Sequence, residues 1–183
     1  MGFAAMVSLA IGIWYLGSAG WIYAKAYAAT FLIDDAWVAT LSNNKIHKPW
    51  PWADTWPVGQ IAIPSLDLNE IVLSGDSGAT LAFGPGLSNS GVDLDSDGVK
   101  LISGHRDTHF SALQNLKVHD EIHIKTAVGD SHYKVTNLRV VDSRTFTVDA
   151  DTASYDLLLA TCYPFNSRDV GGHQRYIVEA IKV

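Results

Sequence analysis

The sequence predicts a mainly β domain, closed as a barrel, carried behind one long apolar helix. Three observations point there. Residues 1–24 contain no charged side chain, and residues 3–23 are long enough to cross a hydrocarbon core of about 30 Å. From Val58 onward the chain breaks into short apolar runs separated by Gly, Asn, Asp and Pro, a pattern of strands and turns. Only residues 110–117 hint at a helical turn in that region, too short to form a layer of its own. One small sheet left open has two exposed edges, and closing it on itself removes both.

The elements follow in order. Residues 1–24 read as a membrane anchor, with Trp21 and Tyr23 placed where amphipathic rings favour the lipid-water interface. The rival is a secretory signal, because Ala24-Lys25-Ala26 and Ala26-Tyr27-Ala28 have the small-x-small look of a cleavage site. The apolar stretch exceeds an ordinary signal core and no Lys or Arg precedes it, which favours an uncleaved anchor. Residues 25–41 read as a juxtamembrane helix with two stripes, one through Tyr27, Phe31, Asp34, Val38 and Leu41 and one through Thr30, Ile33, Trp37 and Leu41; the alternative is a continuation of the transmembrane helix into water. Ser42-Asn43-Asn44 stops it. Pro49, Pro51 and Pro57, interleaved with Trp50, Trp52 and Trp56, then make an extended arm expected to pack on the barrel, since exposed tryptophans are costly. The division is therefore an anchor over 1–24, a juxtamembrane helix and Trp/Pro-rich arm over 25–57, and a barrel over 58–183.

Within the barrel, strands are expected over 58–63, 68–73, 99–103, 121–125, 131–141, 155–161 and 174–183. Val128-Gly129-Asp130 supplies a tight hairpin between the fourth and fifth.

Composition excludes several functions. Across 183 residues, 13 basic side chains against 19 acidic ones give a net charge of −6, so no basic stripe is available for nucleic acid. No phosphate-binding or dinucleotide fingerprint occurs. A single cysteine rules out an internal disulfide.

That cysteine, Cys162, ends the apolar run Tyr155-Asp156-Leu157-Leu158-Leu159-Ala160-Thr161. A lone thiol at a strand tip is a candidate nucleophile, although unpaired cysteines are also common as small buried hydrophobes. A free thiol with a pKa of about 8.5 is mostly protonated at neutral pH, so it needs cationic neighbours. His105, emerging after the apolar run 99–103, has the chemistry to give a proton to a leaving amine. Arg175 heads another strand and, being always charged, suits an oxyanion or a substrate carbonyl rather than a base. The remaining histidines read as surface or capping groups. Asp93, Asp95 and Asp97 resemble the opening half of a calcium loop, but Gly104 stands where the twelfth-position Glu would be, which excludes an EF-hand. They are weak calcium candidates, with a solvated turn the favoured reading and no cofactor expected.

The segment Leu159-Ala160-Thr161-Cys162 resembles the Leu-x-Thr-Cys motif of sortases, and His105 and Arg175 fall where that family carries its histidine and arginine. Gly104-His105-Arg106-Asp107-Thr108-His109-Phe110, Ala160-Thr161-Cys162-Tyr163-Pro164-Phe165 and Arg175-Tyr176-Ile177-Val178 are most similar to the class GN sortases of Gram-negative bacteria. The resemblance covers about residues 50–183 and implies an eight-stranded barrel with Cys162, His105 and Arg175 catalytic. It also implies Ala160, Thr161 and Tyr163 near the substrate, and His109 as a supporting neighbour. The implied activity is cleavage of a C-terminal Leu-Pro-x-Thr-Gly-like signal through a Cys162 thioester, then transfer to an amine. The implied setting is the bacterial inner membrane, with the N-terminus cytoplasmic and the catalytic domain external. The implied target carries a hydrophobic segment and basic tail, often with von Willebrand A and inter-alpha-trypsin-type domains. Two other readings stand beside it: a cysteine hydrolase that releases the acyl group to water, and a membrane-anchored barrel that binds a partner without chemistry.

Overall fold

The computed structural model describes residues 2–148, 153–167 and 172–183. It opens on α1 (Gly2–Asn43), a single helix that runs through residues 2–24 and 25–41 without a break, as the continuation alternative has it. Asn44 ends it in the left-handed region at φ 54°, with its N–H on the Thr40 carbonyl, as the Ser-Asn-Asn signal predicts. The first half is bare: no residue of its most apolar 18-residue window is buried. The second half docks on the domain through Ala29, Ile33, Ala36, Trp37 and Thr40, spaced by three and four. Ile33 and Trp37 belong to the second expected stripe. Tyr27, Phe31 and Val38 of the first stripe are exposed, because only the face turned to the barrel finds a partner.

The arm returns along the barrel with Pro49, Ala53 and Thr55 buried. Trp50 meets Phe83 edge to face, and the Lys48 ammonium sits over the Trp56 ring. Trp52 alone of the arm's tryptophans stays open.

Eight strands follow: β1 (Pro57–Ile63), β2 (Leu68–Ser74), β3 (Gly86–Leu87), β4 (Lys100–Ser103), β5 (Glu121–Lys125), β6 (Asp130–Asp142), β7 (Leu157–Cys162) and β8 (Gln174–Lys182). They close in the order β1-β2-β3-β4-β7-β8-β6-β5. All seven expected strands are present, within two residues at their ends. The eighth, β3, is only two residues long and follows a short helix, α2 (Gly78–Leu81), that the sequence reading also lacked. Gly86 is obligatory in β3: a Cβ there would stand 2.1 Å from the Gly75 carbonyl oxygen.

The β5–β6 hairpin turns on Thr126, whose hydroxyl accepts the N–H groups of Val128 and Gly129. Inside the barrel, Ile61, Ile63, Ile102, Ile122, Ile124, Leu157, Leu159 and Val178 pack with Phe110 and Tyr133. The strands alternate, so Val99, Leu158 and Ile177 form a second apolar patch on the outer face of β4, β7 and β8.

Candidate active site

The sheet register brings the three chemical residues into one row. β4 and β7 run parallel, with Ser103 paired to Ala160, and the ladder continues through the Gly104 N–H to the Ala160 carbonyl at 3.0 Å. Two residues beyond that pair, His105 comes level with Cys162. β7 and β8 run antiparallel, and there Cys162 is directly paired with Arg175. Directly opposed residues share a face, with Cβ atoms roughly 4.5–5.5 Å apart. That face is the outer one, because Cys162 has the parity of Leu158 and Ala160, and Arg175 that of Ile177.

Local packing fixes the histidine turn. Gly104 lies flat against Phe110, so a Cβ would come within 2.6 Å of the ring. Phe110 is fully buried, and its N–H returns to the His105 carbonyl at 3.0 Å. His105 itself is exposed at the lip of the turn. Thr161 faces inward, buried, and donates its hydroxyl to the Gly104 carbonyl at 2.7 Å. It thus reaches the site by tying the cysteine strand to the histidine turn.

Cys162 is half-buried, and Arg175 is half-buried with Nη1 donating to the carbonyls of Gly172 (2.7 Å) and Gln174 (2.9 Å). Tyr163 stacks on Tyr176, and Phe165 meets both rings edge to face, which supports the chain just past the thiol. Burial, with Tyr163 adding, pushes the Tyr176 hydroxyl above its ordinary pKa, so it stays neutral. Ala160 lines a groove of about 520 Å³ with Val92, Leu101, Phe146, Arg175 and Ile177. Of the row's three residues, Arg175 lines this groove. A second cavity of about 480 Å³, between the end of α1 and residues 88–96, lies away from the thiol.

His109 lies beyond the turn, with Nδ1 3.1 Å from a Glu70 carboxylate oxygen on β2. It braces the turn against β2.

A residue that sequence reasoning passed over sits beside the histidine. Arg106 is buried; its Nε pairs with Asp107 at 2.8 Å, Nη1 donates to the Pro164 carbonyl at 2.7 Å and Nη2 to the Ser167 carbonyl at 3.1 Å. One guanidinium therefore clamps the histidine turn to the chain that follows Cys162. The Asp107 carboxyl is held below its usual range by the Arg106 hydrogen bonds, with His105 adding at longer range. This tie is complete above the ordinary carboxylate range and is lost as pH falls through the depressed value. Arg106→Ala is expected to lower kcat/KM about 10- to 100-fold through misplacement of the row, with His105 and Cys162 both intact. Steady-state kinetics beside a thermal melt check this; a variant with wild-type kcat/KM contradicts it.

Of the three acidic-loop carboxylates, Asp95 is engaged by a protein group. Asp95 accepts the Thr126 hydroxyl at 2.6 Å, and buried Lys100 donates its ammonium to the Gly98 carbonyl at 2.9 Å. Burial and Lys182 push the Lys100 pKa down while Asp156, Asp97 and Asp95 pull it up, with a net lowering. Among the described residues no group of three His, Cys, Asp or Glu side chains is gathered for a metal. Calcium at millimolar concentration is expected to leave Tm unchanged; a saturable rise reversed by EDTA contradicts that.

Comparison with known proteins identifies the family and the fold. The model of the sortase domain matches residues 61–183. The chain belongs to the sortase family. It is 28% identical over 127 residues to Sortase D of Bacillus subtilis (strain 168), covering 68% of this chain and 63% of that protein. Among solved structures it is similar to Sortase A from Corynebacterium diphtheriae, with a TM-score of 0.60, 27% identity, and coverage of 72% of this chain and 63% of that one. A Clostridium perfringens Sortase D5 transpeptidase superposes with a TM-score of 0.67 over 86% of this chain and 99% of that one; at 17% identity this likeness speaks for the fold alone. This sortase thus spans less than two thirds of the length of the first two relatives.

Proposed function

We propose that this sortase is a membrane-anchored cysteine transpeptidase of the class GN type. The observation that carries the reading is the single row of His105, Cys162 and Arg175, the last of which also lines an apolar groove. A C-terminal Leu-Pro-x-Thr-Gly-like signal of a target protein lies along the groove with its Thr carbonyl at Cys162. The Cys162 thiolate attacks that carbonyl, and the oxyanion formed is met by N–H donors of Arg175. The C–N bond then breaks as His105 gives its proton to the departing amine, leaving a thioester on Cys162. An acceptor amine attacks the thioester, passes its extra proton to His105, and frees the thiolate. Ala160 lines the groove beside the thiol, while Thr161 and Tyr163 hold the strand on either side of it.

α1 supplies the anchor, with the barrel on the periplasmic side of a bacterial inner membrane. Its apolar first half finds no partner on the barrel, and Trp21 and Tyr23 stand at the end of the uncharged stretch. The resemblance favours targets with von Willebrand A and inter-alpha-trypsin-type domains.

The test is a quenched Leu-Pro-x-Thr-Gly peptide series incubated with and without an added amine. Ligated product that grows with amine concentration is expected. A free acid in constant yield at every amine concentration would make the protein a hydrolase, and no cleavage of any member would leave the binding reading.

A further inference from the structure

Two histidines that the chemistry above does not use face each other on the barrel wall. His123 of β5 and His132 of β6 are direct partners in the antiparallel ladder, so their side chains leave the same face of the sheet. Their neighbours Ile122, Ile124 and Tyr133 are buried in the core, which makes that face the outer one. The two rings stand edge to face, with centroids 4.5 Å apart and planes at 74°. His123 is half-buried and His132 exposed, so a solute ion reaches both. On the other side of His123 its ladder partner on β1 is only Ala62, and beside it lies a cavity of about 280 Å³ bounded by both histidines, Gln60, Asn69, Lys125 and Asp130. The Gln60 amide donates to the Asn69 side-chain oxygen at 2.8 Å, and Lys125 is paired across the ladder with Asp130. The wall is therefore polar, with its charges balanced.

The ring spacing is that of two ligands on one ion. A metal–nitrogen bond of about 2.0–2.1 Å puts each imidazole centre about 3.2 Å from the metal, so two rings sharing an ion at about 90–110° lie about 4.5–5.2 Å apart. The tautomer is prepared as well. His123 Nε2 lies 3.3 Å from a Glu121 carboxylate oxygen. A carboxylate only accepts, so Nε2 carries the proton and the neutral ring keeps its lone pair on Nδ1. A carboxylate on the far nitrogen is the usual support of a metal-bound imidazole. The backbone beneath is fixed from both sides, β5 by its pairing with β1 and β6 by the Val183 N–H on the His132 carbonyl at 3.0 Å.

We infer that His123 and His132 bind one first-row transition-metal dication of the kind that favours imidazole, Zn²⁺, Ni²⁺ or Cu²⁺, with water from the cavity completing its shell. Two imidazoles are the whole contribution of the protein, in keeping with the lack of any gathered group of three among the described residues. The ion clips β5 to β6 well away from the catalytic row. From His132 to Val141, the ladder partner of Arg175, β6 runs about 30 Å. The inference is independent of the transpeptidase reading.

The test uses the full chain in detergent, free of any affinity tag, with Cys162→Ala so that the thiol does not compete for the metal. Zn²⁺ or Ni²⁺ is expected to raise Tm saturably, by about 5–10 °C at a hundredfold excess over Kd. Mg²⁺, which takes oxygen ligands, is expected to leave it unmoved. His123→Asn and His132→Asn, each on the outer face, are expected to melt near the background without metal and to lose at least about tenfold in affinity. One equivalent of Cu²⁺ reads the ligands directly, through nitrogen hyperfine couplings from two imidazoles in the background protein and from one in either variant. No rise in Tm with any of the three ions overturns the inference and leaves an aromatic pair, as does a rise that persists undiminished when both histidines are replaced. The copper spectrum keeps the inference falsifiable if a variant fails to fold, since a background protein without two coupled imidazole nitrogens also overturns it.

Discussion

Cys162→Ala is expected to lose at least ~10⁴-fold in peptide cleavage while melting within a few degrees of the parent. The side chain lies on the outer face and is half-buried, so removing sulfur leaves no interior cavity of the kind that costs stability. The nucleophile is irreplaceable by its neighbours: Thr161 turns inward with its hydroxyl committed to Gly104, and the row offers no other thiol or hydroxyl at that register. Paired measurement of turnover and Tm separates the two roles a lone cysteine can have. Near-parent turnover would remove Cys162 from the chemistry, and a large fall in Tm with it would make the residue structural.

Arg175→Ala is expected to cost about 10²–10³ in kcat/KM, the range for losing one oxyanion donor. Arg175→Lys should be nearly as poor. A planar fork can keep Nη1 on the Gly172 and Gln174 carbonyls while presenting other N–H groups to the groove. An ammonium concentrates its donors at one point and must give up one set of partners or the other. Single-turnover kinetics would place the loss in thioester formation. A lysine variant with more than about a third of parental kcat/KM, a barrier change of under 1 kcal/mol, would mean that charge alone is used.

The sequence made the barrel legible where strands alternate, as in β5, with Ile122 and Ile124 inward between Glu121, His123 and Lys125, and in the first half of β6, with Tyr133 and Val135 inward between His132, Lys134 and Thr136. β7 was legible for another reason: buried on both faces, it reads as a continuous apolar run. β3 was not, because two residues carry no periodicity and its place is set by Gly86 meeting the Gly75 backbone. The continuity of α1 was legible as one of two readings: its first half shows apolar residues all round and its second half a one-sided stripe, which fits a separate juxtamembrane helix, while no residue between them breaks the hydrogen-bond ladder of a single one.

For the site, the thiol, imidazole and guanidinium were legible by type and order. Their alignment needed the β4–β7–β8 register, which joins residues 57 and 13 positions apart in the chain. Arg106 was overlooked despite standing next to His105, since nothing local says that an arginine will bury itself and bond carbonyls at 164 and 167. Lys100 was overlooked for a similar reason: nothing local says that a lysine at the head of β4 will bury itself and bond the Gly98 carbonyl of the acidic loop.

The most direct test of the transpeptidase account is the intact mass of the full chain caught during turnover of a Leu-Pro-x-Thr-Gly peptide. The account predicts a species heavier by the acyl fragment ending in Thr, mapped to Cys162, absent from Cys162→Ala and discharged by hydroxylamine or an acceptor amine. Turnover without any such adduct, or an adduct that persists in Cys162→Ala, would contradict it.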